Sequence, residues 1–241
     1  MNTDYATYFA KFLQHTNEKP VFIKEISGII RARWVASMLD IGAGNGELSV
    51  PLSKFVREYM AVEHNPSHII ALEKAGLTVI PEKFPCRIPG EFDFVLASHV
   101  LSYQAENQSE FLALAFEKVK ARGALLVITF RSHEQNEWTN LIERLDMPVH
   151  EQYSSGFAAL VNIVRDITDD YVIRKVRTEV RTDTFDDMAQ ALAFVASDGV
   201  TDAANTFLER REKLKALLDE KYRQGSQFVF PFDHFFIQIA K

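Results

Sequence analysis

Hydrophobic residues recur with helical spacing at the start of the chain. A first set falls at positions i, i+3, i+4 and i+7, the pattern of one face of an amphipathic helix: Tyr5, Tyr8, Phe9 and Phe12. A second set repeats it: Phe22, Ile26, Ile29 and Ile30. The polar stretch from Gln14 to Pro20 between them interrupts a helix. The pattern therefore predicts two helices before the first strand.

Short apolar runs then alternate with helical patterns. The runs predict five strands, at Ser37–Ile41, Tyr59–Glu63, Leu77–Ile80, Phe92–Ala97 and Ala124–Phe130. Helical patterns separate most of them, and one helix is expected to begin at Asn65-Pro66 and stop at Gly76. Only the proline-containing stretch Pro81–Glu91 leaves little room for a helix. Such alternation is typical of a parallel sheet covered by helices on both faces, an α/β fold.

After Phe130 the regular alternation of strand and helix patterns ends. The pattern predicts a helix at Glu134–Leu145, a half-exposed strand around Val172–Val180 and a final strand at Phe235–Ile239. The roughly 50 residues between the last two strands are too many for a turn, and they predict a helical insertion, a lid or a substrate wall, at 183–226. Because no linker is evident, we expect one domain over 1–241, with a helical cap at 1–35 and a cofactor-binding core at 36–130.

The most specific motif is a glycine loop after the first predicted strand. Gly42, Gly44 and Gly46 are spaced G-x-G-x-G, and glycine lets the backbone approach a ligand closely. The dinucleotide fingerprint G-x-G-x-x-G would need its third glycine at Glu47, so it does not fit. Asp40 and Glu63 end the first two strands at the edge where α/β sheets bind ligands. In that position Asp40 would attract a cation, and Glu63 could accept both hydroxyls of a ribose; the alternative is a structural turn with two capping or solvated acids.

These residues resemble the class I S-adenosylmethionine-dependent methyltransferases. The similarity lies in Leu39–Gly46, Val62-Glu63 and Phe92–Ser98. It implies a Rossmann-like, doubly wound, seven-stranded and mostly parallel sheet with an antiparallel last strand. It also implies S-adenosylmethionine as cofactor, S-adenosylhomocysteine as product and no metal. The resemblance further implies that the three glycines line the methionyl part of the cofactor and that Glu63 holds the ribose. The remaining cofactor-binding candidates are Asp40, Phe84 at the border of the adenine, and Ser98.

A second resemblance covers more of the chain and is to enzymes of the histamine N-methyltransferase type. The segment Phe12–Glu18 looks like the one that supplies an acid to the substrate amine, which makes Glu18 the candidate anchor. The resemblance also implies substrate-contacting roles for His99, Tyr103 and Trp138. Asn17 interrupts the Thr-Glu pair, His99 replaces an amide and Phe232-Asp233 replaces a polar pair, so the expected substrate is a small molecule other than histamine.

Two histidines are candidates for proton transfer. His99 directly follows the fourth predicted strand, where a methyl acceptor would lie, and His133 follows the fifth. Each could act as a base or hydrogen-bond donor; the alternative is a packing histidine. For Glu18 the alternative is a solvated charge. His234 is interpreted as a turn residue.

Composition and net charge restrict the kinds of molecule that the protein is expected to bind and the compartment in which it is expected to work. The net charge of −6 weighs against a protein that coats nucleic acid. The single cysteine allows no intrachain disulfide, and the N-terminus shows no signal peptide, so we expect a soluble, cytoplasmic protein without membrane association. The sequence leaves the oligomeric state open.

Four functions are compatible with these features. The leading one is methyl transfer to an amine nitrogen of a small molecule. An O-methyltransferase of a phenol or carboxylic acid is the alternative. An RNA methyltransferase fits less well, since Ala97–Val100 lacks that class's Asn-Pro-Pro-Tyr type of segment. A non-catalytic cofactor-binding protein is the fourth.

Overall fold

The computed structural model describes residues 3–101, 107–130, 136–147, 152–197 and 201–241. The helices are α1 (Thr3–His15), α2 (Glu18–Ala32), α3 (Ser49–Ser53), α4 (Pro66–Lys74), α5 (Gln108–Glu117), α6 (Glu137–Arg144), α7 (Gln152–Ile167), α8 (Phe185–Ser197), α9 (Thr201–Glu209) and α10 (Arg211–Lys221). The strands are β1 (Ser37–Ile41), β2 (Glu58–Val62), β3 (Thr78–Ile80), β4 (Phe92–Ser98), β5 (Val119–Thr129), β6 (Tyr171–Thr182), β7 (Arg223–Gln224) and β8 (Gln227–Ala240).

The strands form one sheet in the order β3-β2-β1-β4-β5-β8-β6, with the two-residue β7 paired to β8. Strands β1 to β5 pair in parallel, whereas β8 pairs antiparallel to β5. All five residues of β1 are buried, as expected for a parallel strand covered on both faces. The predicted α/β class, the mostly parallel sheet, the antiparallel last strand and the helical insertion before it are confirmed.

Local signals explain the start and end of α4. The side chain of Asn65 accepts a hydrogen bond from the backbone N–H of Ser67, with 3.0 Å between the atoms, and Pro66 follows as the first helical residue. Gly76 has a positive φ of 82°, which allows the chain to leave the helix. Between β3 and β4, the described residues contain no helix, as the prolines indicated.

The final strand differs from its prediction. β8 begins at Gln227, eight residues before the expected Phe235, so Phe232 and Asp233 lie within it instead of preceding it. His234 is therefore a strand residue and not a turn residue, and its side chain is buried. Alternating buried aromatic residues extend the strand through Pro231. Helix α7 follows α6 and was not predicted, although Phe157, Leu160, Val161 and Val164 have the i, i+3, i+4, i+7 spacing of a helix.

The chain divides into two compact units. One comprises residues 1–18, 134–150 and 177–233, and its buried core includes Phe12, Trp138, Phe207 and Phe230. The other comprises residues 19–133, 151–176 and 234–241, and its core covers both faces of β1, β4 and β5. We call the second the sheet unit, because it contains the first five strands. No helix in the described part of the chain is long and apolar enough to cross a membrane.

Candidate cofactor and active site

The glycine loop lies within the sheet unit, between β1 and α3. The backbone N–H of Gly42 donates to the carbonyl of Val62, at 2.8 Å, which ties the loop to the end of β2. Gly42 has φ +76°, and a Cβ placed there would lie 2.3 Å from Cγ1 of Val100. Gly44 has φ +59°, yet no described atom lies within 4 Å of a Cβ built on it. The loop therefore requires glycine at Gly42, where a side chain would clash, and favours it at Gly44 because of the positive φ. It leaves open space beside Gly44.

The carboxylate of Glu63 binds the loop directly. Its Oε2 accepts from the N–H of Gly44 at 2.8 Å, and its Oε1 accepts from the N–H groups of His64 and Asn65, each at 2.8 Å. An ionised carboxylate offers about four acceptor positions, so roughly one stays available for a further donor. Glu63 is also largely buried, with 6% of its surface exposed. It is therefore held in one orientation beside the open space at Gly44.

Asp40 lies below the loop and not on its surface. Its side chain is 2% exposed, and its Oδ2 accepts from the hydroxyls of Ser49 at 2.6 Å and Tyr59 at 2.7 Å. Burial raises the pKa of Asp40 above its ordinary value, although both hydrogen bonds oppose that change. Burial, followed by the charge of Asp40, also raises the pKa of Tyr59 well above its ordinary value. Asp40 thus connects β1, β2 and the start of α3 beneath the loop.

Ser98 and Phe84 lie on the following segments of the sheet unit. Ser98 ends β4, and its Oγ is shielded from solvent without a hydrogen-bond partner among the described residues. A buried hydroxyl of this kind is normally matched by a polar group. Phe84 is 5% exposed and contacts Phe111 edge to face, with 4.8 Å between ring centroids. The open space at Gly44, the held carboxylate of Glu63 and the hydroxyl of Ser98 together fit an S-adenosylmethionine site.

Two histidines meet near the carboxyl end of β4. His99 has φ +56°, and its backbone N–H donates to the carbonyl of Ile128 at 2.9 Å. Its ring lies 5.3 Å from that of His234, centroid to centroid, and a ring nitrogen of each lies within 4.8 Å of one of the other. Phe22 contacts both rings, stacked on His99 and edge-on to His234. Such a pair can share a proton or supply two ligands to a metal ion.

The sequence pointed to His99 but not to His234 as a site residue. The positive φ of His99 marks it as unusual, but that is visible only in the structure. The signal that could have revealed His234 is the alternation of large apolar residues from Phe228 to Phe236, which continues the strand through it.

Of the remaining sequence-predicted residues, Glu18 and Trp138 are described by the structure. Glu18 is the first residue of α2, and at 5% exposure it is buried, so it is not a solvated charge. Trp138, in α6, is 7% exposed and packs against Phe207, Phe230 and Phe232 in the core of its own unit. Tyr103 and His133 lie outside the described residues.

Known structures share this fold. The YcgJ protein of Bacillus subtilis is 14% identical, with a TM-score of 0.58 over 91% of this chain and 97% of that one. The plantazolicin methyltransferase BpumL, solved with S-adenosylhomocysteine, is 11% identical, with a TM-score of 0.52 over 92% and 84%. An O-methyltransferase of Bacillus cereus, also solved with S-adenosylhomocysteine, is 11% identical, with a TM-score of 0.51 over 92% and 81%. No curated protein matches in sequence.

The family is shown by sequence. A family model described as a methyltransferase domain matches residues 5–159, which is more than half of the chain and includes the glycine loop, Glu63, Ser98 and His99. Together with the sheet order, this match establishes that the chain belongs to the methyltransferase domain family and is an S-adenosylmethionine-dependent methyltransferase of class I.

Proposed function

We propose that the protein methylates a nitrogen atom of a small-molecule amine. The observation that carries the proposal is the burial of Glu18, the residue that resembles the amine-binding acid of histamine N-methyltransferase-type enzymes. A carboxylate that is largely shielded from water attracts an ammonium group more strongly than one in bulk solvent, because water screens the interaction less. A positively charged amine substrate is therefore favoured at this position. Glu18 is therefore proposed to bind the acceptor and to take no part in proton transfer.

The cofactor site is proposed from the sheet unit. S-adenosylmethionine supplies an electrophilic methyl carbon when bound. Gly42, Gly44 and Gly46 are proposed to line its methionyl part, with the open space at Gly44 admitting it. Glu63 is proposed to accept one ribose hydroxyl, because its other acceptor positions already bind three amides. Phe84 borders the adenine.

Two further residues are proposed to support that site in different ways. Ser98 donates or accepts one hydrogen bond through its shielded hydroxyl. Asp40 acts as a positioning residue, since its Oδ2 already accepts hydroxyls from Ser49 and Tyr59 below the loop and its side chain is almost fully buried. This role replaces the direct cofactor contact that the sequence suggested.

Proton transfer is proposed for His99. An amine attacks only through a free lone pair, so its ammonium form must first lose a proton, and a neutral imidazole can accept it. The backbone of His99 is fixed by its bond to Ile128, and its ring is held by Phe22 and His234. This arrangement restricts the imidazole to a narrow range of orientations, as proton transfer requires.

Methylation of an oxygen is the second candidate. The contact between His99 and His234 favours it, because a phenol must lose a proton before its oxygen becomes a strong nucleophile. The O-methyltransferase of Bacillus cereus has the same fold, but at 11% identity it supports the fold alone.

The test is methyl transfer measured with radiolabelled S-adenosylmethionine against a panel of amines, phenols and carboxylic acids. We expect an amine product, and mass-spectrometric fragmentation locates the methyl group. Glu18→Gln should raise the KM for the amine while leaving S-adenosylhomocysteine affinity unchanged, and His99→Asn should lower kcat. Glu47→Gln removes an exposed acid beside the glycine loop and serves as the matched control.

Two other results of the methyl-transfer assay would contradict the amine proposal. Products from phenols or acids alone would replace the nitrogen proposal with the oxygen one. Binding of S-adenosylhomocysteine without transfer to any acceptor would indicate a non-catalytic cofactor-binding protein.

A further inference from the structure

A second cavity lies at the opposite edge of the sheet from the glycine loop. It has a volume of about 280 Å³ and is formed by the turn between α2 and β1, the start of β4 and the first half of β5. Its walls include Arg33, Trp34, Asp93 and Arg122, all within the sheet unit. The glycine loop follows the carboxyl end of β1, whereas this turn precedes its amino end. The cavity is therefore separate from the cofactor site.

Trp34 is unusual in both backbone and exposure. Its φ is +56°, a value that bulky residues adopt rarely and at a cost of about 1–3 kcal/mol. Its side chain is 90% exposed, so burial does not offset that cost. Glycine or asparagine would fit this turn more easily. Packing of the described residues thus gives no reason for tryptophan here, whereas recognition of another molecule does.

The turn that carries Trp34 is held rigidly. Nη2 of Arg33 donates to the carbonyls of Arg122 and Gly123, each at 3.1 Å, and so fastens the turn to β5. The backbone N–H of Val35 donates to the carbonyl of Ile30 at 3.0 Å. The backbone that carries the indole is therefore fixed, which lowers the part of the entropy cost of binding that comes from ordering the turn.

The cavity carries excess positive charge. Its carboxylate, Asp93, already accepts from the backbone N–H groups of Ala36 and Ser37, from the Ser37 hydroxyl and from Nζ of Lys120. Lys120 therefore balances the charge of Asp93, and the guanidinium groups of Arg33 and Arg122 are left in excess. A partner of opposite charge is favoured.

We propose that this cavity docks an acidic segment of another protein. A carboxylate of the segment pairs with Arg122 and Arg33, and a neighbouring apolar side chain covers Trp34. Tryptophan and arginine are the residues most enriched at the energetic centres of protein interfaces. A small ligand would be left largely in solvent beside a side chain that is 90% exposed, whereas binding pockets usually enclose their ligands. Exposed Glu58, the first residue of β2, and Glu91, which precedes β4, add negative charge at this edge. A short protein segment can place its carboxylates away from them, whereas a nucleic-acid backbone carries a charge at every nucleotide and is disfavoured.

The probe is a fluorescein-labelled peptide of alternating Glu and Leu with blocked ends, followed by fluorescence anisotropy on the full chain. We expect a Kd below about 1 mM that weakens with added salt, and no binding of the same peptide with Gln for Glu. Trp34→Asn and Arg122→Ala should each weaken binding about tenfold or more, and Trp34→Phe should restore part of it. Arg57→Ala removes an equal charge from an exposed residue outside the cavity and should change binding little.

Thermal unfolding of the same variants separates docking from structure. Trp34→Asn should keep or raise the Tm, because it relieves backbone strain and gives up no buried surface. A clear fall in its Tm would show that Trp34 serves the fold and would overturn the proposal. Absence of acidic-peptide binding, equal binding of the Gln peptide, unchanged binding by the Trp34 and Arg122 variants, or tighter binding of a uridine octanucleotide would overturn it as well. None of these measurements depends on the methyl acceptor.

Discussion

The carboxylate of Glu63 accepts a hydrogen bond from the backbone N–H of Gly44, with 2.8 Å between Oε2 and the nitrogen. The same side chain therefore supports the loop and faces the space proposed for the ribose. Its bonds to the amides of His64 and Asn65 fix it further. Loop geometry and cofactor affinity should consequently change together when this residue is altered.

Glu63→Ala should weaken S-adenosylhomocysteine binding by about 10–150-fold, which corresponds to the 1.5–3 kcal/mol of a hydrogen bond to a charged group. Isothermal titration calorimetry measures the change. Glu58→Ala removes an exposed acid at the other end of β2 and should have no effect. An unchanged affinity in Glu63→Ala would rule out the ribose assignment.

Gly44→Ala should reduce cofactor affinity because the new methyl group enters the open space proposed for the methionyl part. Gly76→Ala is the matched control, since Gly76 also has a positive φ and no described neighbour within 4 Å of a built Cβ. Both variants should lose about 1 kcal/mol of stability from backbone strain, but only Gly44→Ala should lose binding. Equal affinity of the two variants for S-adenosylhomocysteine would contradict the placement.

Tyr59→Phe should lower the free energy of unfolding by about 1.5–3 kcal/mol, because buried Asp40 then loses a hydroxyl donor. Urea denaturation of this variant, Asp40→Asn and the double variant forms a thermodynamic cycle. We expect a coupling of about 0.5–3 kcal/mol between these contacting residues. Additive effects of the two substitutions would show that the bond contributes little.

Asp93→Asn should remove a pH-dependent part of the stability. Burial raises the pKa of Asp93, but hydrogen bonds from Lys120, Ser37 and Ala36 outweigh it and hold the pKa below its ordinary value of 3.8. A depressed carboxyl pKa stabilises the fold fully above the unfolded value, and the contribution disappears as the pH falls through the folded value. The variant should have a lower free energy of unfolding than the native chain at neutral pH, and this difference should disappear below about pH 4. Urea denaturation at a series of pH values measures it. A difference that stays constant or widens on acidification would contradict this.

Local signals predicted much of the sheet unit. Glycines at Gly42, Gly44 and Gly46, the cap at Asn65 and the apolar runs of β1 and β4 each determine structure within a few residues. The bounds of β1 to β4 were therefore predicted to within one residue, and the methyltransferase family was predicted as well. β5, in contrast, begins at Val119, five residues before the expected Ala124.

Long-range contacts explain what the sequence did not reveal. The burial of Asp40 depends on Tyr59, a residue on a different strand, so the edge position alone suggested a ligand contact. His234 lies after Pro231, which normally weakens a strand assignment. Pairing of β8 with neighbouring strands, which come from distant segments of the chain, keeps this segment extended. Trp138 belongs to a core whose members come from distant segments.

The late position of β8 in the chain affects how the protein is made. β8 pairs with one edge of β5, although about 100 residues of the chain separate the two strands. At about 5–20 residues per second, the ribosome needs roughly 5–20 s to synthesise the residues between them. Meanwhile the fully apolar stretch Ala124–Ile128 has one unpaired edge, the form in which strands recruit other chains. The nascent methyltransferase is thus most prone to aggregation between synthesis of its fifth strand and its last.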